Sequence, residues 1–235
     1  MAYIKDTDLD FLGKLDNSDL NNLVKLLTDD WNSDLRIHDL YKNNAPNHKK
    51  YWECIAADIQ SYGANSLASM LRGGDGVLYK EVLHDVCAKL KVEHDTNSPI
   101  DQIELSMLLK IVTDSLEKLT PEELTAIVKE LKIKTKDISA QAVTAALQAG
   151  IRLGGFASYQ LAMIVANAAY RALFTSGIDF AINSTITKTM AVFAGPIGWA
   201  LTGAWTAIDI AGPAYRVTIP ATIEIAYLRL KIKQK

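Results

Sequence analysis

Between Lys188 and Asp209 the chain runs for twenty residues without a charge, T-M-A-V-F-A-G-P-I-G-W-A-L-T-G-A-W-T-A-I (189–208). This run constrains the fold more than any other stretch. At about 1.5 Å per helical residue it matches a ~30 Å hydrocarbon core. Without lipid it must pack as a small-residue helix inside protein. Gly195, Pro196, Gly198 and Gly203 interrupt it. Val192, Phe193, Ile197, Leu201 and Ile208 together favour insertion by only about 2 kcal/mol, a marginal sum. A weaker uncharged stretch, 153–170, carries Gln160, Asn167 and two glycines. The two are flanked by Arg152, Arg171 and Lys188, the layout of a hydrophobic hairpin over 153–208. Small residues allow close helix approach in lipid and in protein alike, so both solvents stay open. If lipid is the solvent, Trp199, Trp205, Arg216 and Arg229 are the candidates to meet it, as interfacial tryptophans and snorkelling arginines. Arg216 also reads as a salt-bridge partner for Asp209 or Glu224.

The charge distribution sharpens this division. Residues 1–137 hold 17 Lys/Arg against 24 Asp/Glu, and residues 138–235 hold eight against three. An acidic amphipathic front (1–137) thus precedes an apolar, cationic back (138–235), which points the back towards a surface or membrane. No basic stripe with interleaved aromatics appears, which argues against nucleic acid. Two cysteines and an acidic start without an apolar leader read as a reduced, cytoplasmic protein, in conditional contact with the inner membrane.

Helical periodicity dominates the front. Asp6 or Thr7 can cap a short helix carrying Leu9, Phe11 and Leu12. Asp16 and Asp19 form a capping-box pattern before Leu20, Leu23, Val24 and Leu27. The pattern returns at Thr120, Pro121 and Glu123, where L-T-P-E-E-L (119–124) starts another helix. Residues 31–50 read as a short amphipathic run followed by a loop. A helix is expected over 48–71, with a break near Gly63, another over 77–92 and another over 100–118. Pro220 is expected in the first turn of a last helix, although Val217, Ile219, Ile223 and Ile225 also suit a strand. R-G-G-D-G (72–76) separates two front helices. Arg72, Gly73, Gly74 and Gly76 are candidates for an anion cradle at a helix start, against the plainer reading of a tight turn.

The stretches Y-W-E-C-I-A-A-D-I-Q-S-Y-G (51–63) and A-Y-R-V-T-I-P (214–220) resemble the bacterial YaaW-type family, some of whose members are labelled ubiquinol–cytochrome c chaperone family. The opening Y-I-K-D-T-D-L-D-F-L is similar to the short N-terminal domain of unknown function that often heads them. The resemblance covers most of the chain. It implies a mostly helical, cytoplasmic bacterial protein and carries no substrate over.

No catalytic constellation emerges. His84, Cys87 and His94 begin a ligand set, but the paired spacing of a zinc site is missing. Asp6, Asp8 and Asp10 lack the glycine and the twelfth-position Glu of a calcium loop. Cys54 and Cys87 sit among apolar neighbours and read as core thiols. No metal or cofactor is expected. The sequence therefore predicts a mainly α, multi-helix bundle with an Ala/Gly-rich apolar C-terminal region. Its expected function is a non-enzymatic interaction or chaperone-like protein with a protein partner. The alternatives are a pore-forming or effector-like protein that inserts 153–208, and an enzyme or binder using the 72–76 turn.

Overall fold

The computed structural model describes residues 2–29, 33–64, 76–130, 133–152, 156–174, 197 and 215–234. The fold is mainly α. In chain order the helices are α1 (Asn17–Thr28), α2 (Asp34–Ile37), α3 (Asp39–Asn44), α4 (Trp52–Ala64), α5 (Tyr79–Lys89), α6 (Ile100–Leu116), α7 (Pro121–Glu130), α8 (Ala140–Arg152), α9 (Phe156–Leu173) and α10 (Tyr215–Ile232). Short 3-10 turns, Asp10–Lys14 and His48–Tyr51, precede α1 and α4.

The local start signals act as the sequence predicts. Asp16 and Asp19 make the reciprocal capping contacts that open α1. At α7 the Thr120 amide donates to Glu123 Oε2 (2.9 Å) and the Glu123 amide to Thr120 Oγ1 (3.3 Å). Each pair satisfies amide groups that a helix start leaves without an intrahelical acceptor.

Elsewhere tertiary partners replace local ones. Leu78 gives α5 no side-chain cap. The Asp6 carboxylate does so instead, accepting from the Tyr79 amide at 2.7 Å across 73 residues. Asp58, on α4, accepts from the Asp34 and Leu35 amides and from the Ser33 hydroxyl, and so caps α2. Gln60 holds Ile4 by both amide and carbonyl (3.0 and 2.8 Å). The N-terminal segment is thereby strapped onto α4 and α5.

The last helix lies at the centre. α10 packs against α9, α1, α5, α6 and α4, and every residue from Val217 to Leu228 is buried. Burial of Ile219, Ile223, Ile225 and Leu228 contributes roughly 1.5–3 kcal/mol each. Its partner α9 is buried continuously from Leu161 to Tyr170. Tyr159 stacks on Tyr227 (5.8 Å between centroids), which sets the two helices antiparallel. One apolar cluster runs from Leu9 to Leu228 and includes Ile197, the described residue of 189–208. No helix among the described residues is long and apolar enough to cross a membrane.

Val217 to Ile225 form helix, as expected, and not the strand their isoleucines also suit. That helix begins five residues before Pro220, which therefore lies inside it; the hydrogen bond lost there falls at the exposed residue Arg216. Gly63 is helical, one residue before Ala64, where the described part of α4 ends; 65–71 of the expected helix lie outside the described residues. Gly63 lets α5 come close: a Cβ there would lie 2.5 Å from Val82 Cγ2 and 2.7 Å from Val77 Cγ2. In the segment 31–50, read as a short amphipathic run and a loop, the short helices α2 and α3 extend the helical part to Asn44. The central pair also carries buried side-chain atoms with no hydrogen-bond partner among the described residues: Asn167 Nδ2, Thr218 Oγ1, Thr222 Oγ1 and Glu224 Oε1.

Candidate functional site

The last turns of α10 bring charge to the junction of four segments. Arg229 Nε donates to Glu104 Oε2 of α6 at 2.9 Å, and its Nη2 donates to the Asp8 carbonyl at 2.7 Å. The Tyr79 hydroxyl of α5 donates to the other Glu104 oxygen at 2.7 Å. The Phe11 ring lies 4.5 Å from the guanidinium carbon, in cation–π range. Helical spacing explains the convergence. Glu104 shares the inner face of α6 with Leu108 and Ile111, and Tyr79 begins α5 where the Asp6 strap holds it.

The electrostatics follow from burial. The Glu104 side chain is 2 % exposed and that of Arg229 is 13 % exposed. Burial pushes the Glu104 carboxyl up, and the neighbouring Arg229 charge pulls it only part of the way back. For Arg229 burial opposes the charge, but Glu104, Tyr79 and Asp8 together outweigh it and the guanidinium stays above its ordinary value. Burial lifts the Tyr79 phenol well above its usual range, with Glu104 adding to the effect. Burial also raises Asp8, helped by the charge of Asp6. Asp101 is lowered, chiefly by the hydrogen bond from Lys233.

Above this network opens a cleft of about 570 Å³, lined by Asp8, Phe11, Lys80, Asp101, Arg229 and Lys233 among others. Lys233 bridges to Asp101 at its edge (2.7 Å). Two residues earlier Lys231 pairs with Asp19 of α1 at 2.6 Å. Three cations of one helix end thus clasp α6, the N-terminal strap and α1. The arrangement carries both signs of charge; it holds helices and can meet a polar surface.

The other reactive side chains are engaged structurally. The Cys87 thiol is buried, and burial pushes it up to about 12. Burial raises Cys54 as well. Neither environment favours a thiolate. His48 accepts from the Tyr51 hydroxyl and donates to Asn21 Oδ1 (2.6 Å), and burial lowers its affinity for a proton. His84 and His94 share a hydrogen bond of 2.7 Å, while Cys87 turns into the core, so the three do not converge. Among the described residues no three His, Cys, Asp or Glu side chains gather to hold a metal.

Of the residues singled out by sequence, Arg229 is the one found in this network, paired with Glu104. Arg216 is exposed on the first turn of α10. Glu224, one of its suggested partners, is buried and takes a hydrogen bond from Asn22 of α1. Gly76 is half-buried just before α5. Arg72, Gly73, Gly74, Trp199, Trp205 and most of 189–208 lie outside the described residues. Sequence reasoning missed Glu104, Tyr79 and Asp8. A charge at position 104, in line with Leu108 and Ile111, was the available signal.

The Ubiquinol-cytochrome C chaperone family model matches residues 47–223, from the turn before α4 into the middle of α10. A domain of unknown function (DUF3944) matches 3–37, the strap with α1 and α2. A UPF0174 protein of Helicobacter pylori strain J99 is 46% identical, covering 100% of this chain and 95% of that protein. Another, from strain 26695, is 41% identical over 87% of this chain and all of its own length. The UPF0174 protein YaaW of Escherichia coli K12 is 28% identical over 97% of this chain and 95% of its own. No solved structure matches. The strap, the enclosing helices and the central pair therefore fall within shared sequence, and the chain belongs to the UPF0174 family, with the ubiquinol-cytochrome C chaperone model spanning its core.

Proposed function

We propose that this protein is a non-enzymatic, chaperone-like protein that acts on a protein partner by presenting its apolar C-terminal helices. The carrying observation is the state of α9 and α10. Both are apolar around their circumference and enclosed, α10 chiefly by amphipathic front-half helices. Yet they retain Asn167, Thr218, Thr222 and Glu224 atoms without partners among the described residues. Each unmet buried polar group costs roughly 1–3 kcal/mol, so the closed packing is not the lowest-energy surrounding such helices can have. Ion pairs from Arg229, Lys231 and Lys233 close the assembly at one end. The raised thiol pKa values and the structurally engaged histidines support a role without covalent catalysis, and the family match supports a chaperone-like one. A photo-crosslinking residue in place of Met163, buried on α9, tests this in cells. The expected result is a discrete intermolecular adduct. Exclusively intramolecular crosslinks, together with no suppression of aggregation of an unfolding client by the purified protein, would overturn the proposal.

A second reading, contact with a membrane surface by the C-terminal half, is favoured by Arg171 and Arg216. Both are exposed, at the α9 and α10 ends that flank 175–214. Carbonate extraction of cell membranes checks it: protein found wholly in the soluble fraction before extraction counts against contact.

A further inference from the structure

We infer that the end of the molecule where α9 stops and α10 starts docks on an anionic phospholipid surface through Lys25, Lys89, Arg171 and Arg216. The inference rests on the membrane reading above and names its lipid class and contact residues.

These residues come from four elements, Lys25 beside the end of α9 and Lys89 beside the start of α10. Arg171 lies in the last turn of α9 and Arg216 in the first turn of α10, and both are exposed. The exposed Lys25, from the end of α1, places Nζ 4.7 Å from the Phe174 ring centroid and 5.2 Å from that of Tyr170. Lys89, from the end of α5, lies 5.4 Å from the Tyr215 ring. The helix dipole accounts for cations at the ends of α1, α5 and α9, where they complement the partial negative charge. It does not account for Arg216, which faces the positive end of α10. Asp29 and Asp85 lie on the same helix ends as Lys25 and Lys89, and the cluster remains net positive with them included.

Aromatic rings beside basic side chains form the composition of a membrane–water interface, where rings sit at headgroup level and cations meet lipid phosphates. The position in the chain fits as well. The segment that leaves α9 here and returns to α10 contains 189–208, the longest uncharged run of the sequence. A protein partner would not require the coincidence of cations and aromatics at one end.

The test is flotation of the full-length chain with phosphatidylcholine vesicles, with and without one-quarter phosphatidylglycerol, at low and high salt. Binding is expected to need phosphatidylglycerol and to fall with salt. Arg171→Gln/Arg216→Gln should weaken it by about 25-fold, roughly fivefold per residue. Lys25→Gln/Lys89→Gln should act in the same direction. Lys49→Gln/Lys50→Gln, an equal charge change beside the start of α1 at the opposite end, should leave binding unchanged. Equal binding to both vesicle types, or equal weakening by the control pair, leaves the membrane reading standing and overturns this inference. Absence of binding to either vesicle overturns both.

Discussion

Replacing Arg229 by Met should unmask what the buried pair demands. In the wild type Glu104 is 2 % exposed, takes a hydrogen bond from Tyr79, and owes its charged form to the guanidinium 2.9 Å away. Met preserves much of the apolar stem but leaves a buried carboxylate with one neutral donor. Breaking one side of such a pair costs about 3–5 kcal/mol. At 2–4 °C per kcal/mol for a chain of this size, the melting point should drop by roughly 10 °C. The deficit should depend on pH. Without Arg229 the folded-state pKa of Glu104 rises further above its unfolded value. The variant is then least impaired where the carboxyl is protonated in both states and loses stability as pH rises through the folded pKa. Urea unfolding followed by circular dichroism from pH 5 to 8 measures this. The double variant Glu104→Leu/Arg229→Met removes both charges and should recover most of the loss. A single-variant cost below about 1 kcal/mol, or a deficit flat with pH, would refute the reasoning.

Glu224 offers a second pH test: burial lifts its carboxyl to about 7, with the Asn22 hydrogen bond opposing the shift. Because the folded value lies above the unfolded one, stability should fall as pH rises from about 4.5 to 7, by about 3 kcal/mol at most. Glu224→Gln should flatten that profile in equilibrium unfolding and be more stable than wild type at pH 8. Gly63→Ala should cost roughly 1–3 kcal/mol by overpacking against Val82 and Val77, and Val82→Ala in the same chain should return part of it, as read by thermal melts. Thr120→Ala should cost about 1 kcal/mol by removing one half of the α7 capping box, with faster amide exchange confined to the first turn of α7.

The parts of the fold legible from sequence were those with local causes. α1 and α7 each combine a capping box with one apolar face, so their starts can be read from a few adjacent residues. α10 lacks such contrast. From Val217 to Leu228 it is enclosed on every side, and isoleucines around its full circumference imitate a strand. Proline suggested a boundary at 220, but the helix tolerates it because the missing amide falls near its exposed start. The remote caps were beyond local reading: Asp6 accepts from the Asp8 amide in the turn beside it, as a local cap would, but its other carboxylate oxygen caps α5. Among the site residues Arg229 was chosen for position at the edge of an apolar region. What it does depends on Glu104, 125 residues earlier, and spacing alone does not contain that pairing.

The strap at the N-terminus has a consequence for how the molecule is made. Asp8 and Phe11 are synthesised well before their guanidinium partner, which lies 221 residues beyond Asp8. At a synthesis rate of about 5–20 residues per second, the opening segment waits on the order of 10–40 s for that contact. The central helix that gathers α1, α4, α5 and α6 follows all of them in the chain. Until it is made, those helices exist without the surface they were shaped to surround. Completion of this fold thus waits on α10, and a nascent chain stalled before Tyr215 would carry its inner faces uncovered.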